Sequence, residues 1–474
     1  MFERLSNFLN FIFGEINNAL YGYILIILLV AVGLYFTFRT KFVQFRLLGE
    51  QLRAVTEKPE NKKGVSSFQS LMVSTASRVG TGNIIGVSSA ICLGGFGSVF
   101  WMWLIAVIGG ASAFIESTLA QLYKRKGSDG NFYGGPAYYI EAGLKSRPLA
   151  VIFSVCLILT YGVGFNMLCS YNLQSTFAGY SFYNANKTPW IIGIILALLV
   201  GYCLFGGGKR IIKVSSVLVP VMGVIYVAVA LFVILTHITA IPGIFARIFT
   251  EAFDFKSIFG GFMGSCVMFG IKRGLYSNEA GIGSAPNASA SAEVKHPAKQ
   301  GLVQVLSVFL DTLVICSATA FMCMCSGVEP SAALDGAPYV QASMQATLGN
   351  FGPVFITVAM TLFAFTTLIG NLYYVDRGIF YMLGKVPGEA FKNVYYAIAS
   401  LLVLFGAVLN AGILWSIADI TMGAMAVINI PVIFILGKKA LAVLGDYEAQ
   451  RKEGKDPVFH AKNIGMEDEV EIWK

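Results

Sequence analysis

Residues 68–93 read FQSLMVSTASRVGTGNIIGVSSAICL, apolar at both ends and interrupted in the middle by Ser74, Thr75, Ser77, Arg78 and the run Gly80-Thr81-Gly82-Asn83. A helix that crosses a bilayer needs about 20 mostly apolar residues. The stretch is long enough, yet its centre holds a charge and small polar groups that are costly against lipid. Irregular backbone at membrane depth persists only where it is buried in protein or lines a cavity. The spacing therefore predicts two half-helices around an unwound centre, and Gly80 and Gly82 let another group approach that backbone closely.

A second stretch repeats the pattern. Residues 261–292, GFMGSCVMFGIKRGLYSNEAGIGSAPNASASA, are broken by Lys272, Arg273, Ser277, Asn278 and Glu279 inside an expected span of 257–292. Paired broken helices at matching places are the best pointer in a sequence to the binding site of a secondary transporter. The rest of the chain agrees with a membrane setting. Its 474 residues are 56% hydrophobic and 13% charged, with a mean hydropathy of +0.69, a balance that no water-soluble core of this size accommodates.

Length and flanking charge mark eleven transmembrane spans: 19–38, 68–93, 97–123, 148–176, 188–206, 211–236, 257–292, 298–326, 352–384, 389–409 and 411–436. The expected fold is an all-α integral membrane protein with one extra helix, 19–38, ahead of two five-span blocks, 68–236 and 257–440. An odd number of spans in the first block inserts the second upside down, which is an inverted repeat. Residues 1–18 have the aromatic and polar mixture of a helix lying in the interface, 39–67 form a basic loop, and 441–474 read as a solvated, charged tail. Lys and Arg gather in alternate loops, which places those loops in the cytoplasm, the N-terminus outside and the C-terminus inside.

Several other classes lack their reacting groups. The net charge of +8 is spread over loops and forms no stripe suited to nucleic acid. The sequence has no His-Glu-x-x-His, Gly-x-Ser-x-Gly or Gly-x-x-x-x-Gly-Lys-Ser/Thr, so metalloprotease, hydrolase and ATP-driven readings are without support, and the chain is not expected to be an enzyme. A channel would want a repeated filter from several subunits. The eight cysteines lie in or beside apolar spans without metal-ligand spacing and read as small packing residues.

At the first break, the half-helix starting near Gly82 presents unpaired N–H groups and a positive dipole end, which suits a carboxylate. Unwound carbonyls before it suit sodium, a hard cation that takes oxygen ligands. Other charges also fall inside spans. Glu116, Asp311 and Asp419 are either proton or ion ligands or internal counterions for Lys272, Arg273 and Arg78. Asp376 and Arg377 are placed near a helix end, where snorkelling suffices, and Tyr138-Tyr139 and Trp101 with Trp103 fit interfacial belts.

The strings Ser77-Arg78-Val79-Gly80-Thr81-Gly82-Asn83-Ile84 and Lys272 through Pro286, KRGLYSNEAGIGSAP, resemble the alanine or glycine:cation symporter family, the sodium:alanine symporters. Gly134-Gly135-Pro136 and Phe363-Ala364-Phe365-Thr366-Thr367 extend the likeness over nearly the whole chain. The resemblance implies the five-plus-five inverted repeat of the leucine-transporter superfamily and sodium-driven uptake of a small neutral amino acid, alanine or glycine, with no other cofactor. It implies a substrate site from Ser77, Arg78, Gly80, Thr81, Gly82, Phe165, Asn166, Ser277, Asn278 and Asn371. It also implies a sodium site from the carbonyls of Ala76 and Val79, Phe363, and the hydroxyls of Thr366 and Thr367. Those two hydroxyls have an ordinary alternative, bonding back to the preceding helical turn, and Asn166 has another, an interhelical hydrogen bond. Arg78 either meets the pocket or pairs with Glu279 or another acid. Asn371 stands where some relatives carry Trp, which predicts a roomier pocket open to a polar neutral amino acid such as glutamine. Proton coupling is the alternative mode, because the buried acids are able to carry it.

Overall fold

In the computed structural model the chain is helical almost throughout, and the structure describes residues 14–59, 64–254, 258, 261 and 265–473. Its helices are α1 (Gly14–Arg39), α2 (Leu48–Thr56), α3 (Ser67–Arg78), α4 (Gly82–Gly94), α5 (Gly97–Leu122), α6 (Pro136–Leu144), α7 (Arg147–Ser175) and α8 (Thr188–Leu204). There follow α9 (Gly207–Thr236), α10 (Ile241–Ala252), α11 (Cys266–Asn278), α12 (Pro297–Cys325), α13 (Ala337–Leu348), α14 (Phe351–Leu383), α15 (Glu389–Gly406) and α16 (Ala411–Lys452). Among the described residues seven helices, α1, α5, α7, α9, α12, α14 and α16, are long and apolar enough to cross a membrane. With the shorter apolar helices α4 and α8, they make this a multi-pass membrane protein.

The outer faces are those of lipid-exposed helices. Leu198 and Tyr202 on α8 and Val224 and Leu235 on α9 are exposed apolar side chains, where a soluble protein would place charge. Inside, small residues set the helix spacing. A Cβ on Gly301 of α12 would lie 2.8 Å from the Phe114 carbonyl oxygen of α5, and one on Gly270 of α11 would lie 2.5 Å from the Ser98 carbonyl oxygen. So α5 runs beside both α11 and α12 at backbone contact, and it braces the elements that follow the second break. Gln121 at the end of α5 donates to the carbonyls of Ser289 and Ala292 at 2.5 and 2.9 Å, closing groups that the irregular 279–292 segment leaves open.

Five expectations change. Of the interfacial helix expected over 1–18, residues 1–13 lie outside the described residues and 14–18 form the first turn of α1. The last span continues to Lys452 instead of ending near 436, and the tail after it folds back instead of lying in solvent. Trp473 is buried, meets Phe459 edge-to-face and donates to the Gln121 carbonyl at 2.8 Å, while the Phe459 N–H donates to the Lys295 carbonyl at 3.0 Å. The apolar residues Phe459, Met466, Val470 and Trp473, spaced through a charged segment, supply that docking face. Arg377 does not snorkel: it is buried, with its guanidinium 4.4 and 4.6 Å from the ring centres of Tyr373 and Tyr133. Tyr139 is no belt residue either, being fully buried with its hydroxyl on Asn429.

Candidate functional site

The first break begins where α3 ends. Ser66 caps α3 with a reciprocal capping box to Gln69, which fixes the start of a helix of only 12 residues. At 1.5 Å per residue such a helix is about 18 Å long, too short for a hydrocarbon core of ~30 Å, so the chain opens near mid-depth. Val79, with ψ of 88°, turns the backbone out of the helix. The side chain of Asn83 reaches back to accept from the Gly80 N–H at 2.7 Å, which satisfies a donor that no helical carbonyl serves. The chain resumes as a π-helical turn, Gly82–Gly86, at the start of α4.

Helix α14 lies directly against this break. The Thr367 hydroxyl donates to the Ala76 carbonyl at 3.1 Å. A Cβ on Gly80 would sit 1.9 Å from that same hydroxyl oxygen, and one on Gly370 would sit 2.7 Å from the Ser77 nitrogen. Glycine is required at both positions by this closeness. On the other side the Tyr276 ring covers Gly82, 2.7 Å from where a Cβ would be. Tyr276 in turn contacts Phe165 and Trp415, with ring centres 4.6 and 5.2 Å apart.

The second break is built the same way. Ser265 caps α11, its hydroxyl accepting from the Met268 N–H, and α11 has 13 residues. Glu279 stops it in the left-handed region at φ 55°, and Gly281 and Gly283 follow at φ 86° and 87°. A non-glycine residue held there marks backbone that its surroundings over-determine, a feature that clusters at functional sites. Those surroundings include the first break: the Glu279 carboxylate accepts from Ser77 at 2.8 Å and from Ser284 at 2.7 Å.

A polar chain runs onward from there. Ser77 is 2.6 Å from Asn371, and Asn371 donates to Asn166 at 2.9 Å. Ser77 has a single hydroxyl hydrogen, for which the Glu279 carboxylate and the Asn371 oxygen are the two acceptors.

The structure thus brings together Ala76, Ser77, Gly80, Asn166, Asn371 and Thr367 of the expected residues, with Gly82 and Phe165 beneath and beside Tyr276. Thr81 faces α7, accepting from Asn172 at 3.3 Å. Val79 and Phe363 are buried beside the first break and on α14. Others point elsewhere. The Thr366 hydroxyl bonds back to the Leu362 and Phe363 carbonyls at 3.0 and 3.1 Å, the alternative that a threonine in a membrane helix always has. Arg78 faces α12, donating to Gln304 at 2.9 Å, and pairs with no acid among the described residues. Ser277 donates to Asp311 at 2.8 Å. Asn278 accepts from the Ala280 N–H at 3.0 Å, which caps its own helix end.

Two site features were not foreseen, Glu279 as the link between breaks and the Tyr276 cover; behind Tyr276 lies an ion cluster in which Asp419 is the internal counterion expected for Lys272 and Arg273. Lys272 meets Asp419 at 2.7 Å and Arg273 meets it at 3.4 Å, with the Arg273 guanidinium 3.7 Å from the Trp415 ring centre. Tyr276 and Glu279 lie within the string KRGLYSNEAGIGSAP, so the position was visible, but no spacing says which member of such a string faces the opposite break. A cavity of about 460 Å³ lined by Arg125, Tyr138, Arg147, Tyr381 and Lys385 lies among the basic loops, away from both breaks, and has no part in this arrangement.

Two helix breaks cross-linked by a serine, a carboxylate and two amides match what a transporter of one family would need, and the comparison with known sequences agrees. The profile of the sodium:alanine symporter family matches residues 6–461. The chain belongs to that family. It is similar to the amino-acid carrier protein AlsT of Bacillus subtilis (strain 168), 45% identical over 471 residues that cover 99% of each chain. It is 43% identical over 472 residues to the probable sodium/glutamine symporter GlnT of the same organism, covering 99% of this chain and 97% of that one. A sodium/proton-dependent alanine carrier protein of Bacillus sp. (strain PS3) is 37% identical over 451 residues, with 89% and 97% covered. The chain is a transporter of this family and not an enzyme.

Proposed function

We propose that this protein carries a small neutral amino acid into the cell together with sodium, by alternating access around the two helix breaks. The observation that carries the reading is the contact between breaks, Ser77 to Glu279 at 2.8 Å, beside the Thr367 to Ala76 contact at 3.1 Å. Substrate binds where the unwound segments meet. Backbone N–H groups at Thr81 and Gly82 take its carboxylate, Gly80 leaves room for its close approach while its own N–H is held by Asn83, and Ser77, Asn166 and Asn371 face its side chain and ammonium with Phe165 as an apolar wall. Ser277, Asn278 and Arg78 shape the site from behind.

Sodium binds between the Ala76, Val79 and Phe363 carbonyls and the Thr367 hydroxyl, with Thr366 joining when its hydroxyl leaves the Leu362 and Phe363 carbonyls. The amide of Asn371 extends the substrate range to glutamine, for which one relative, the probable sodium/glutamine symporter, is named. In the membrane the chain makes eleven crossings, with the N-terminus outside and the C-terminus cytoplasmic. Blocks 68–236 and 257–440 are the inverted halves, 19–38 is the added helix, 39–67 the basic loop and 441–474 the cytoplasmic end.

Reconstituted in liposomes, the protein is expected to accumulate labelled alanine or glutamine above equilibrium under an inward sodium gradient, and Thr367→Val is expected to abolish the accumulation. Accumulation driven by an inward proton gradient without sodium would refute the sodium site and shift coupling to Glu116, Asp311 or Asp419.

A further inference from the structure

The cavity of about 460 Å³ apart from both breaks is lined where four pieces of chain come together. These are a short hairpin, in which Arg125–Lys126 pairs with Phe132–Tyr133, then α6, the start of α7, and the end of α14 with the residues after it. Its volume falls in the range of sites for small ligands, ~300–1,000 Å³. Four cations line it, Arg125, Lys126, Arg147 and Lys385, against a single carboxylate, Glu141. Glu141 pairs with Arg125 at 3.3 Å, and Lys126, Arg147 and Lys385 form no ion pair among the described residues.

Neighbouring acids do not remove the excess. Asp129 is bonded to Tyr133 and Asn131, and behind the Tyr133 ring Arg377 is buried with Nε and Nη1 lacking a hydrogen-bond partner, so that acid and that base leave the balance as it was. Glu471 of the tail accepts from the Lys126 N–H at 3.4 Å and does not line the cavity. Cations held together without counterions repel one another, and an anion seated among them relieves that repulsion. The walls between the cations are aromatic: Tyr138 meets Tyr381 with ring centres 5.1 Å apart, and Tyr133 meets Phe380 at 5.4 Å.

The surroundings say which anion fits. Past Arg147, α7 exposes Ile152, Val155 and Leu159, spaced for one helix face, and Met382 and Leu383 are exposed just before Lys385. A ligand with an anionic head and apolar chains finds a place here for both parts, whereas a soluble anion uses only the first. We propose that this cavity holds the phosphate headgroup of an anionic phospholipid. Arg147, Lys126 and Lys385 take the phosphate, a guanidinium fork being well matched to its oxygens, and the acyl chains lie along α7 and the end of α14. Basic pockets between membrane helices are suited to such headgroups. The site uses none of the residues proposed for substrate or sodium and stands apart from the symport reading. Because Phe380 and Tyr381 belong to α14, the lipid also ties the helix that carries Thr367 to α7.

The test is thermal unfolding of the purified protein in detergent, without sodium or amino acid, titrated with dioleoyl phosphatidylglycerol, dioleoyl phosphatidylcholine or inorganic phosphate. Phosphatidylglycerol is expected to stabilise the protein saturably, and the other two are not. Arg147→Gln with Lys385→Gln removes two exposed, unpaired cations and is expected to raise the half-saturating phosphatidylglycerol concentration about 30-fold. Lys41→Gln with Lys452→Gln, which removes two exposed cations outside the cavity, is expected to leave it within about twofold. Native mass spectrometry of the same samples is expected to show a retained phosphatidylglycerol that the cavity variant alone loses, a readout that holds even where a variant unfolds at a different temperature. Equal stabilisation by phosphatidylcholine, or equal losses in the two variants, overturns the headgroup site. Stabilisation by inorganic phosphate as strong as by phosphatidylglycerol overturns the lipid as its occupant.

Discussion

Gly80→Ala tests the proposed sodium site at its tightest point. The added carbon would sit 1.9 Å from the Thr367 hydroxyl oxygen, 3.0 Å from its Cβ and 3.2 Å from its Cγ2. Rotating Thr367 does not relieve this, because a β-branched side chain swings another heavy atom into the space its oxygen leaves. Helix α14 has little room to shift as a body, since Gly370 already sits with its Cβ direction 2.7 Å from the Ser77 nitrogen. Overpacking of this kind costs about 1–3 kcal/mol. If it falls on the contact between Thr367 and the Ala76 carbonyl, sodium affinity drops about 5- to 150-fold, at ~1.4 kcal/mol per factor of ten. The assay is thermal unfolding of the purified protein against sodium concentration, since a ligand that binds the folded form at free concentration L raises its stability by RT ln(1 + L/Kd). Thr367→Ala in the same chain removes the clashing oxygen, so the double variant is expected to regain stability in the absence of sodium but not its response to sodium. That non-additive pattern distinguishes a clash at the ion site from general damage. A Gly80→Ala protein whose half-saturating sodium concentration stays within about twofold of the natural one would refute the placement of the ion between Ala76 and Thr367.

Four further outcomes follow from the same contacts. Asp419→Asn removes the counterion of partly buried Lys272 and buried Arg273 and is expected to lower stability by about 3–5 kcal/mol; unchanged thermal unfolding would show that those charges find another partner. Asn371→Ala leaves Ser77 and Asn166 short of a partner, at a cost of about 1–3 kcal/mol, and is expected to impair glutamine uptake more than alanine uptake, which competition assays resolve. Trp473→Ala strips the tail of its bond to the Gln121 carbonyl and its edge-to-face contact with Phe459, so limited trypsin digestion is expected to cut after Lys455 and Lys462 faster than in the natural protein, whereas equal rates would mean that the tail is held elsewhere. The same docking is expected to weaken in acid through His296. Burial pushes His296 below its ordinary value against the opposing pull of Asp446, 3.1 Å from its Nε2; its Nδ1 accepts from the Ala298 N–H at 3.2 Å, and its ring meets Phe459 edge-on. A depressed histidine favours the folded form while neutral, so the stability is complete above about pH 6.5 and is lost as the pH falls toward its lowered value; tail cleavage that does not rise from pH 7 to 5 would contradict this.

Membrane class and the positions of both breaks were legible because they follow from local rules, hydrophobic length and the cost of polar residues in it. Gly80 and Gly82 stand out in an apolar stretch, and so does the run from Lys272 to Glu279. Which side chains meet across the breaks was not legible, since partners such as Ser77 and Glu279, 202 residues apart, depend on how helices rotate against each other. Thr366 and Thr367 illustrate the limit. They are adjacent, so on a helix they point about 100° apart, and only Thr367 turns to Ala76 while Thr366 bonds to its own helix. The tail was misjudged for a similar reason: four buried apolar residues scattered through a charged segment form a face only once the segment folds back over the end of α5.

Two sets of contacts define which parts move together. Ser77 with Glu279, and Asn83 with Asp311 and Ser277, join the first break to the second on opposite faces, so α3, α4 and α11 are linked through groups that a proton or cation can rearrange. The contact from Thr367 to Ala76 joins that unit to α14, a single long helix without a break. Under the proposed symport, an ion between Ala76 and Thr367 sits on the seam between the jointed unit and its neighbour, where its occupancy would set how the unit lies against α14. Coupling then requires no contact between ion and amino acid: the ion stabilises the arrangement that substrate also selects, and the mutual gain in affinity is the coupling free energy.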